Sequence, residues 1–218
     1  MSSRRKRLLL VGLILVAVVV AMFFAARWWE RAHLAWVTAQ FIKGPEPVRW
    51  EAAQRLARAG DKAVPILINC LKHENESVRG RAAAALGEIG EPAVPALIEC
   101  LKGEKAEARY YAVRALGGVG APAVPALIGC LDHGGADLRC DGARALRKMG
   151  RQAAPAVPSL IRCLTAKDHR VRREAARALG EIGPAATPAV PALTRLLSDE
   201  EYRVRGKARE ALSKITQH

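Results

Sequence analysis

Aromatic side chains are scarce: Phe, Trp and Tyr make up 5% of the 218 residues. After Tyr111 only Tyr202 remains. A binder of single strands needs rings on which bases can stack, and the most basic part of this chain has almost none. No glycine-rich loop of phosphate-binding spacing is present. No serine or cysteine has a histidine partner in register, so nucleophilic catalysis has no candidate. His73-Glu74 is a lone His-Glu dipeptide; the equivalent places in other copies read Lys105-Ala106, Asp132-His133 and Asp168-His169. A metal site built from matched pairs is therefore excluded, and no second soft ligand accompanies any cysteine at zinc-finger spacing. These absences leave no enzyme class, cofactor, metal or small-molecule substrate to expect.

What the chain does have is repetition. One pattern starts at Val48-Arg49, Val78-Arg79, Ala108-Arg109, Leu138-Arg139, Val171-Arg172 and Val204-Arg205, at spacings of 30, 30, 30, 33 and 33 residues. Self-similarity at such a period means a solenoid. In residues 78–107, Val78, Ala82, Ala85, Leu86 and Ile89 share one stripe of a helix. Gly90 ends that helix, and Pro92-Ala93-Val94-Pro95 begins a second one, whose stripe is Val94, Leu97, Ile98 and Leu101. Each repeat is then two short helices, A and B, too short to stand alone and stabilised by stacking. Copies four and five carry three extra residues before helix B, around Pro155 and Pro188. The last copy stops after one helix, where Arg209 and Glu210 give it the polar face of a cap.

The pattern V-R-x-x-A-x-x-A-L-G-x-I-G-x-x-A-V-P-A-L-I-x-x-L resembles the short HEAT-like repeats of phycobilisome-lyase-type and related bacterial proteins, best in 78–107 and 171–203. That resemblance covers about three quarters of the chain and implies a right-handed all-α solenoid with a surface for binding. Repeats are expected at 48–77, 78–107, 108–137, 138–170 and 171–203, with a capping helix at 204–218.

The other end reads as a membrane anchor. Residues 8–26, LLLVGLILVAVVVAMFFAA, carry no charge and span about 28 Å as a helix, close to a bilayer's hydrocarbon core. Arg4, Arg5, Lys6 and Arg7 precede the run, and Trp28 and Trp29 follow it. A cleaved signal peptide would have a shorter core and a small residue where Phe23 or Phe24 stands. The expectation is a transmembrane helix over 8–26 in the bacterial inner membrane, with residues 1–7 in the cytoplasm and the repeats outside. Residues 27–47 form a helical extension and linker that caps the first repeat. The five cysteines fit a reducing compartment better, which pulls against that topology.

Several columns recur through the copies. The arginine after each opening residue (Arg49, Arg79, Arg109, Arg139, Arg172, Arg205) is expected to form a structural ladder between repeats, with nearby acids such as Glu76, Glu107, Asp137, Asp168 and Glu201 as partners. Cys70, Cys100, Cys130 and Cys163 share one position in helix B, with Leu196 in the fifth copy. Equivalent residues of stacked helices lie ~8–10 Å apart, too far for a disulfide. Cys140 instead falls on the outer face of helix A, and is the candidate for a reactive thiol.

The net charge is +14, of which residues 1–26 carry +4, 27–137 carry +1 and 138–218 carry +9. In helix B the residue pointing away from the core reads Asn69, Glu99, Gly129, Arg162 and Arg195, so this row turns basic toward the C-terminus. In proteins with similar solenoids the B helices line the concave face. Arg144, Arg147, Lys148 and Arg177 add charge on the A side. The expected function is a non-enzymatic scaffold that binds a protein partner along Asn69, Glu99, Arg162 and Arg195, with the two arginines taking an acidic element of it. A nucleic-acid or other anionic ligand on the basic repeats is the alternative, and a lyase-like accessory role the second one.

Overall fold

The computed structural model describes residues 3–103 and 105–216, with side chains from Val18 onward. Among the described residues the elements are helices, with no strand. The chain divides into two compact units, Met1–Ala52 and Ala53–His218.

In the first unit, α1 runs unbroken from Ser3 to Lys43. It stops at Gly44, whose N–H still donates to the Gln40 carbonyl at 2.9 Å. Pro45 follows, and α2 (Glu46–Arg58) begins immediately after it. The expected membrane span is not upheld. Among the described residues no single helix is long and apolar enough to cross a membrane. The side chains of residues 8–17 lie outside the described ones. From Val18 the apolar run ends at Ala26, where Arg27, Glu30 and Arg31 begin a charged stretch. The inner-membrane location, the cytoplasmic residues 1–7 and the membrane partner were all inferred from that span, and are withdrawn with it.

The second unit alternates long and short helices. The A helices are α4 (Glu76–Ile89), α6 (Ala106–Val119), α8 (Ala136–Met149), α10 (His169–Ile182) and α12 (Tyr202–Thr216). The B helices are α3 (Val64–Cys70), α5 (Val94–Leu101), α7 (Val124–His133), α9 (Val157–Cys163) and α11 (Val190–Arg195). Each A helix packs on the next A helix, and each B helix packs under the A helix that follows it. The B helices α3, α5, α7 and α9 also pack in sequence. The unit is thus an α-solenoid of the HEAT or armadillo kind, in which every element touches its chain neighbours and little else.

The core is two rows of leucine. Leu67, Leu97, Leu127, Leu160 and Leu193 enter from the B helices, and Leu86, Leu116, Leu146 and Leu179 from the A helices, all fully buried. Each such side chain contributes roughly 1.5–3 kcal/mol of burial. Ala82, Ala112, Ala143, Ala175 and Ala208 are also fully buried; their small size lets successive A helices approach closely.

The junction between A and B differs from a simple helix restart. Helix B begins at Val94, Val124, Val157 or Val190, and a 3₁₀ turn precedes it at Glu91–Ala93, Ala121–Ala123, Gly150–Ala156 or Gly183–Ala189. The reason is the second proline: Pro95 has no N–H for a carbonyl four residues back, so the turn closes over three instead, with Ala93 N–H on Gly90 C=O at 3.0 Å. The two longer turns contain the three-residue insertions. The glycine at each junction sits at φ +79 (Gly90), +73 (Gly120), +56 (Gly150) or +74 (Gly183). With ψ near −140° at Gly90, Gly120 and Gly183, this is not the left-handed helical cap but a region open almost only to glycine.

Two glycines separate backbone strain from space. A Cβ at Gly183 or at Gly206 would meet nothing within 4 Å, yet only Gly183 has a positive φ. Gly183→Ala should destabilise by about 1–3 kcal/mol, whereas Gly206→Ala, inside α12, should stabilise by about 0.5–1 kcal/mol. Urea unfolding of the two variants measures the contrast in sign.

Candidate functional site

The row of B helices exposes Asn69, Glu99, Arg162 and Arg195 to solvent, as their spacing implies. Where α3 meets α5 the row is grooved. Ile68, Lys72, Ala96, Glu99, Cys100 and Lys105 line a cleft of about 560 Å³. The Glu99 carboxylate in it is held by Lys102 at 2.5 Å. At the other end the two arginines differ. Arg162 donates to Asp132 at 2.7 Å and to Ser159 Oγ at 2.8 Å, spanning from α9 to α7. That hydrogen bond, aided by Ser159, holds the Asp132 carboxyl below its ordinary value against the opposing pull of burial. Arg162 therefore belongs first to the fold. Arg195 is exposed and makes no ion pair among the described residues, so the free positive charge of the row is at its C-terminal end.

The arginine column is structural, but its main partners are not the acids expected. Except at Arg139, each guanidinium reaches back to the loop that precedes its own helix and donates to a backbone carbonyl. Arg79 Nη1 bonds His73 O and Glu74 O, both at 2.7 Å. Arg172 Nη1 bonds Ala166 O and Lys167 O at 2.9 Å, and Arg205 Nη1 bonds Asp199 O and Glu200 O at 2.7 and 3.0 Å. Arg109 reaches Gly103 O at 3.0 Å, and Arg49 reaches Gly44 O at 3.0 Å. Glu76, Glu107, Asp137, Asp168 and Glu201 are not their carboxylate partners, because each lies beside the N-terminus of its own helix while the arginine turns back under the loop. One arginine of the column crosses between repeats, Arg109 Nε to Asp141 at 3.2 Å, and Arg172 reaches the loop after its own helix B, meeting Asp199 at 2.8 Å through both Nε and Nη2. The lone His73-Glu74 dipeptide serves the same loop, His73 Nδ1 accepting from the Asn75 N–H at 3.1 Å.

The A side carries a second network that the repeat pattern did not reveal. Asp141 in α8 and Glu174 in α10 are buried carboxylates at one equivalent position of helix A, where α6 has Tyr111. Asp141 accepts from Arg109 and from Arg144, and Glu174 from Arg173 and Arg177. Tyr111 does the same work with its ring: Arg79 and Arg114 lie over it at 5.3 and 5.7 Å. The signal was in the sequence. At this position the copies disagree (Arg81, Tyr111, Asp141, Glu174, Lys207), and two neighbouring copies place an acid among arginines. Nearby, Lys148 lies over Gly117, and burial together with Arg147 and Arg114 pulls its ammonium below the usual lysine range.

Cys140 is not on an open face. It is buried, and burial pushes its thiol up to about 11. The face on which it lies is outer to its own repeat but is covered by α10, whose Arg170 and Glu174 are among its charged neighbours. It is withdrawn as a reactive thiol. Cys70, Cys100, Cys130 and Cys163 are buried and free as well, with Cys100 Sγ on Ala108 O at 3.7 Å. Among the described residues, no group of three or more His, Cys, Asp or Glu could hold a metal ion.

Two measurements follow from these environments. Arg172 and Asp199 are both nearly buried, at 9% and 6% side-chain exposure, whereas Arg162 is 62% exposed. Asp199→Ala should cost about 3–5 kcal/mol and Asp132→Ala less than about 1 kcal/mol in urea unfolding. For Asp199, burial pulls the carboxyl upward, but the Arg172 and Glu201 N–H bonds outweigh it and the net value falls below the ordinary 3.8. Its stabilisation is complete above that value and is lost as the pH falls through the depressed folded one. Asp199→Asn should therefore flatten the acid limb of the stability curve. As for the thiols, native protein at pH 8 should react with a disulfide reagent far more slowly than urea-unfolded protein, which should titrate all five.

Comparison with known proteins agrees with this geometry. A family profile for HEAT repeats matches residues 34–108, 94–169 and 136–213. No curated protein matches the chain. Among solved structures, the complex of CpcE and CpcF of phycocyanin lyase from Nostoc sp. PCC7120 is similar at 23% identity and TM-score 0.55, over 69% of this chain and 98% of that one. A designed armadillo repeat protein in complex with the peptide (KR)4 is similar at 18% identity and TM-score 0.48, over 84% and 99%. Human deoxyhypusine hydroxylase is similar at 24% and 0.46, over 85% of each chain. These likenesses concern the fold. With helix pairs stacked in register and the profile covering well over half of the sequence, the chain belongs to the family of HEAT-repeat proteins.

Proposed function

We propose that the repeat unit is a non-enzymatic scaffold that holds a segment of a protein partner along the row of B helices. One observation carries this: the row presents a cleft of about 560 Å³ between α3 and α5, lined by aliphatic surface and rimmed by Lys72, Glu99 and Lys105. A concave, mainly apolar surface with a few polar groups is a binding surface. Its one thiol, Cys100, is buried, and burial raises it above the ordinary value despite Lys72 beside it. The similar CpcE and CpcF chains form a complex with each other, which is consistent with a solenoid of this size working by association.

Within that surface, Glu99 lines the cleft, Asn69 stands exposed on α3 next to the lining residue Ile68, and Arg195 supplies the contact for an acidic element of the partner. Arg162 acts through Asp132 to position α9 rather than as a free cation. A photo-crosslinking residue placed at Asn69 or Arg195 in native cells should capture one and the same protein, and the same residue at Arg209, on the A side, should not. Arg195→Glu should weaken that capture several-fold without changing the circular dichroism. Capture that is equal from both faces, or unaffected by Arg195→Glu, would discard the B-row site.

A further inference from the structure

The buried carboxylate Glu174 gathers more positive charge than it neutralises. Arg173 donates to it through Nη2 at 3.1 Å and Arg177 through Nη1 at 3.3 Å, and Arg144 Nε stands at 3.8 Å. Glu174 itself is 1% exposed, while the side chains of Arg144, Arg177 and Arg173 are 42%, 33% and 21% exposed. Asp141 adds a second buried acid but is shared between Arg144 at 2.9 Å and Arg109 at 3.2 Å. Three guanidiniums (Arg144, Arg173, Arg177) thus surround the single Glu174 carboxylate, an excess of two positive charges there that the shared Asp141 offsets only in part. Arg170, one turn away, is already held by Asp168 at 2.7 Å and Asp137 at 3.0 Å and lies outside this surplus.

The donors are in surplus as well. A guanidinium carries five N–H groups in a fixed fork. Arg144 Nη2, Arg173 Nη1, and Arg177 Nε and Nη2 make no hydrogen bond among the described residues, and none of them is buried without a partner. They reach solvent at the surface of the α8–α10 pair. Their positions are set by Glu174, which cannot leave, so the ordering cost of these long side chains is already met in the free protein.

We propose that Arg144, Arg173 and Arg177, organised by Glu174, form a binding site for a phosphoryl group on the A side of the solenoid. Arginine forks suit the tetrahedral oxyanion, which accepts bidentate bonds. A phosphoryl group carries about −1.5 to −2 charges at pH 7, which suits the excess that Arg144, Arg173 and Arg177 leave around Glu174. Spreading a monoanionic carboxylate over the same site would leave charge unmatched. This surface lies on helices A and is independent of the B-row scaffold, so either can fail alone.

Titration calorimetry and thermal melts of the full chain test it, with inorganic phosphate, a phosphoserine peptide and a peptide with glutamate in place of phosphoserine, all at ionic strength matched with chloride. Saturable binding of phosphate or the phosphopeptide is expected, weakened at least tenfold by Arg144→Gln or Arg177→Gln and unchanged by Arg195→Gln. If Arg177→Gln unfolds, Arg177→Lys keeps the charge beside Glu174 but loses the fork, and should still bind several-fold more weakly. Tighter binding of the phosphopeptide than of phosphate assigns the group to a modified partner; equal binding assigns it to a small phosphorylated ligand. A chloride control that reproduces the effect, a glutamate peptide that binds as well as its phosphorylated twin, or variants that bind like wild type would overturn the proposal.

Discussion

The structure depends on one hydrogen-bonding unit: the guanidinium of the fourth residue of an A helix, inserted beneath the loop that precedes it. The last carbonyls of a helix B have no partner within the helix, and loop carbonyls such as those of His73 and Glu74 receive no backbone N–H among the described residues. Arg79, Arg172 and Arg205 each supply two donors from a single Nη1 to consecutive carbonyls. The bond fixes the loop to the helix it leads into, and so sets how far one B helix stands from the next A helix. That distance recurs as the repeat period. The exception supports the rule. Before the fourth copy α7 runs on to His133 and the loop shortens to Gly134-Gly135, and there the Arg139 guanidinium makes no hydrogen bond to a loop carbonyl among the described residues.

A charge fixed at the same place in every copy creates a second requirement, because stacked repeats bring like charges together along the A helices. The protein answers differently in each layer. Tyr111 offers a ring to Arg79 and Arg114, Asp141 a carboxylate to Arg109 and Arg144, and Glu174 a carboxylate to Arg173 and Arg177. Further on, Arg172 uses Asp199 from the next loop. Tyr111, Asp141 and Glu174 each also face an arginine of the preceding repeat (Arg79, Arg109 and Arg144), so they join neighbours as well as neutralising charge. Removing one partner would leave the other buried and uncompensated, which is costlier than the net value of the pair.

What could be seen in the sequence was whatever follows from period and volume. The leucine rows, the alanine face and the junction glycines are each dictated by position within one helix pair, and Leu97, Ala112 and Gly90 lie where the 3.6-residue period puts them. What could not be seen depends on the neighbouring repeat. Cys140 points away from its own helix B, which a helical wheel scores as outer, but α10 covers that face. Arg162 points outward too, but Asp132 is 30 residues away in sequence and one helix away in space. The ladder acids were chosen for closeness in sequence, whereas the arginines chose carbonyls, which no pattern of side chains displays. The length and polarity of α1 misled in another manner: an apolar run was read as a span, and from Val18 onward it continues into Arg27, Glu30 and Arg31 within the same helix.

The repeat therefore divides its residues into two kinds. Those common to all copies, the arginine column above all, are consumed by stacking and have few donors left to offer a ligand. Those that vary are constrained by one layer only, and any excess left in that layer remains at the surface. The B row ends in Arg195, which has no ion-pair partner among the described residues, because no acid of α9 takes the place that Asp132 of α7 takes for Arg162. The α8–α10 layer keeps more guanidinium than carboxylate because Glu174 draws Arg144, Arg173 and Arg177 together. Both surpluses arise from the same cause, a stacked array in which neutralisation is local while the arginine is periodic. In such an array binding capacity accumulates where the counter-charge falls short of the repeat.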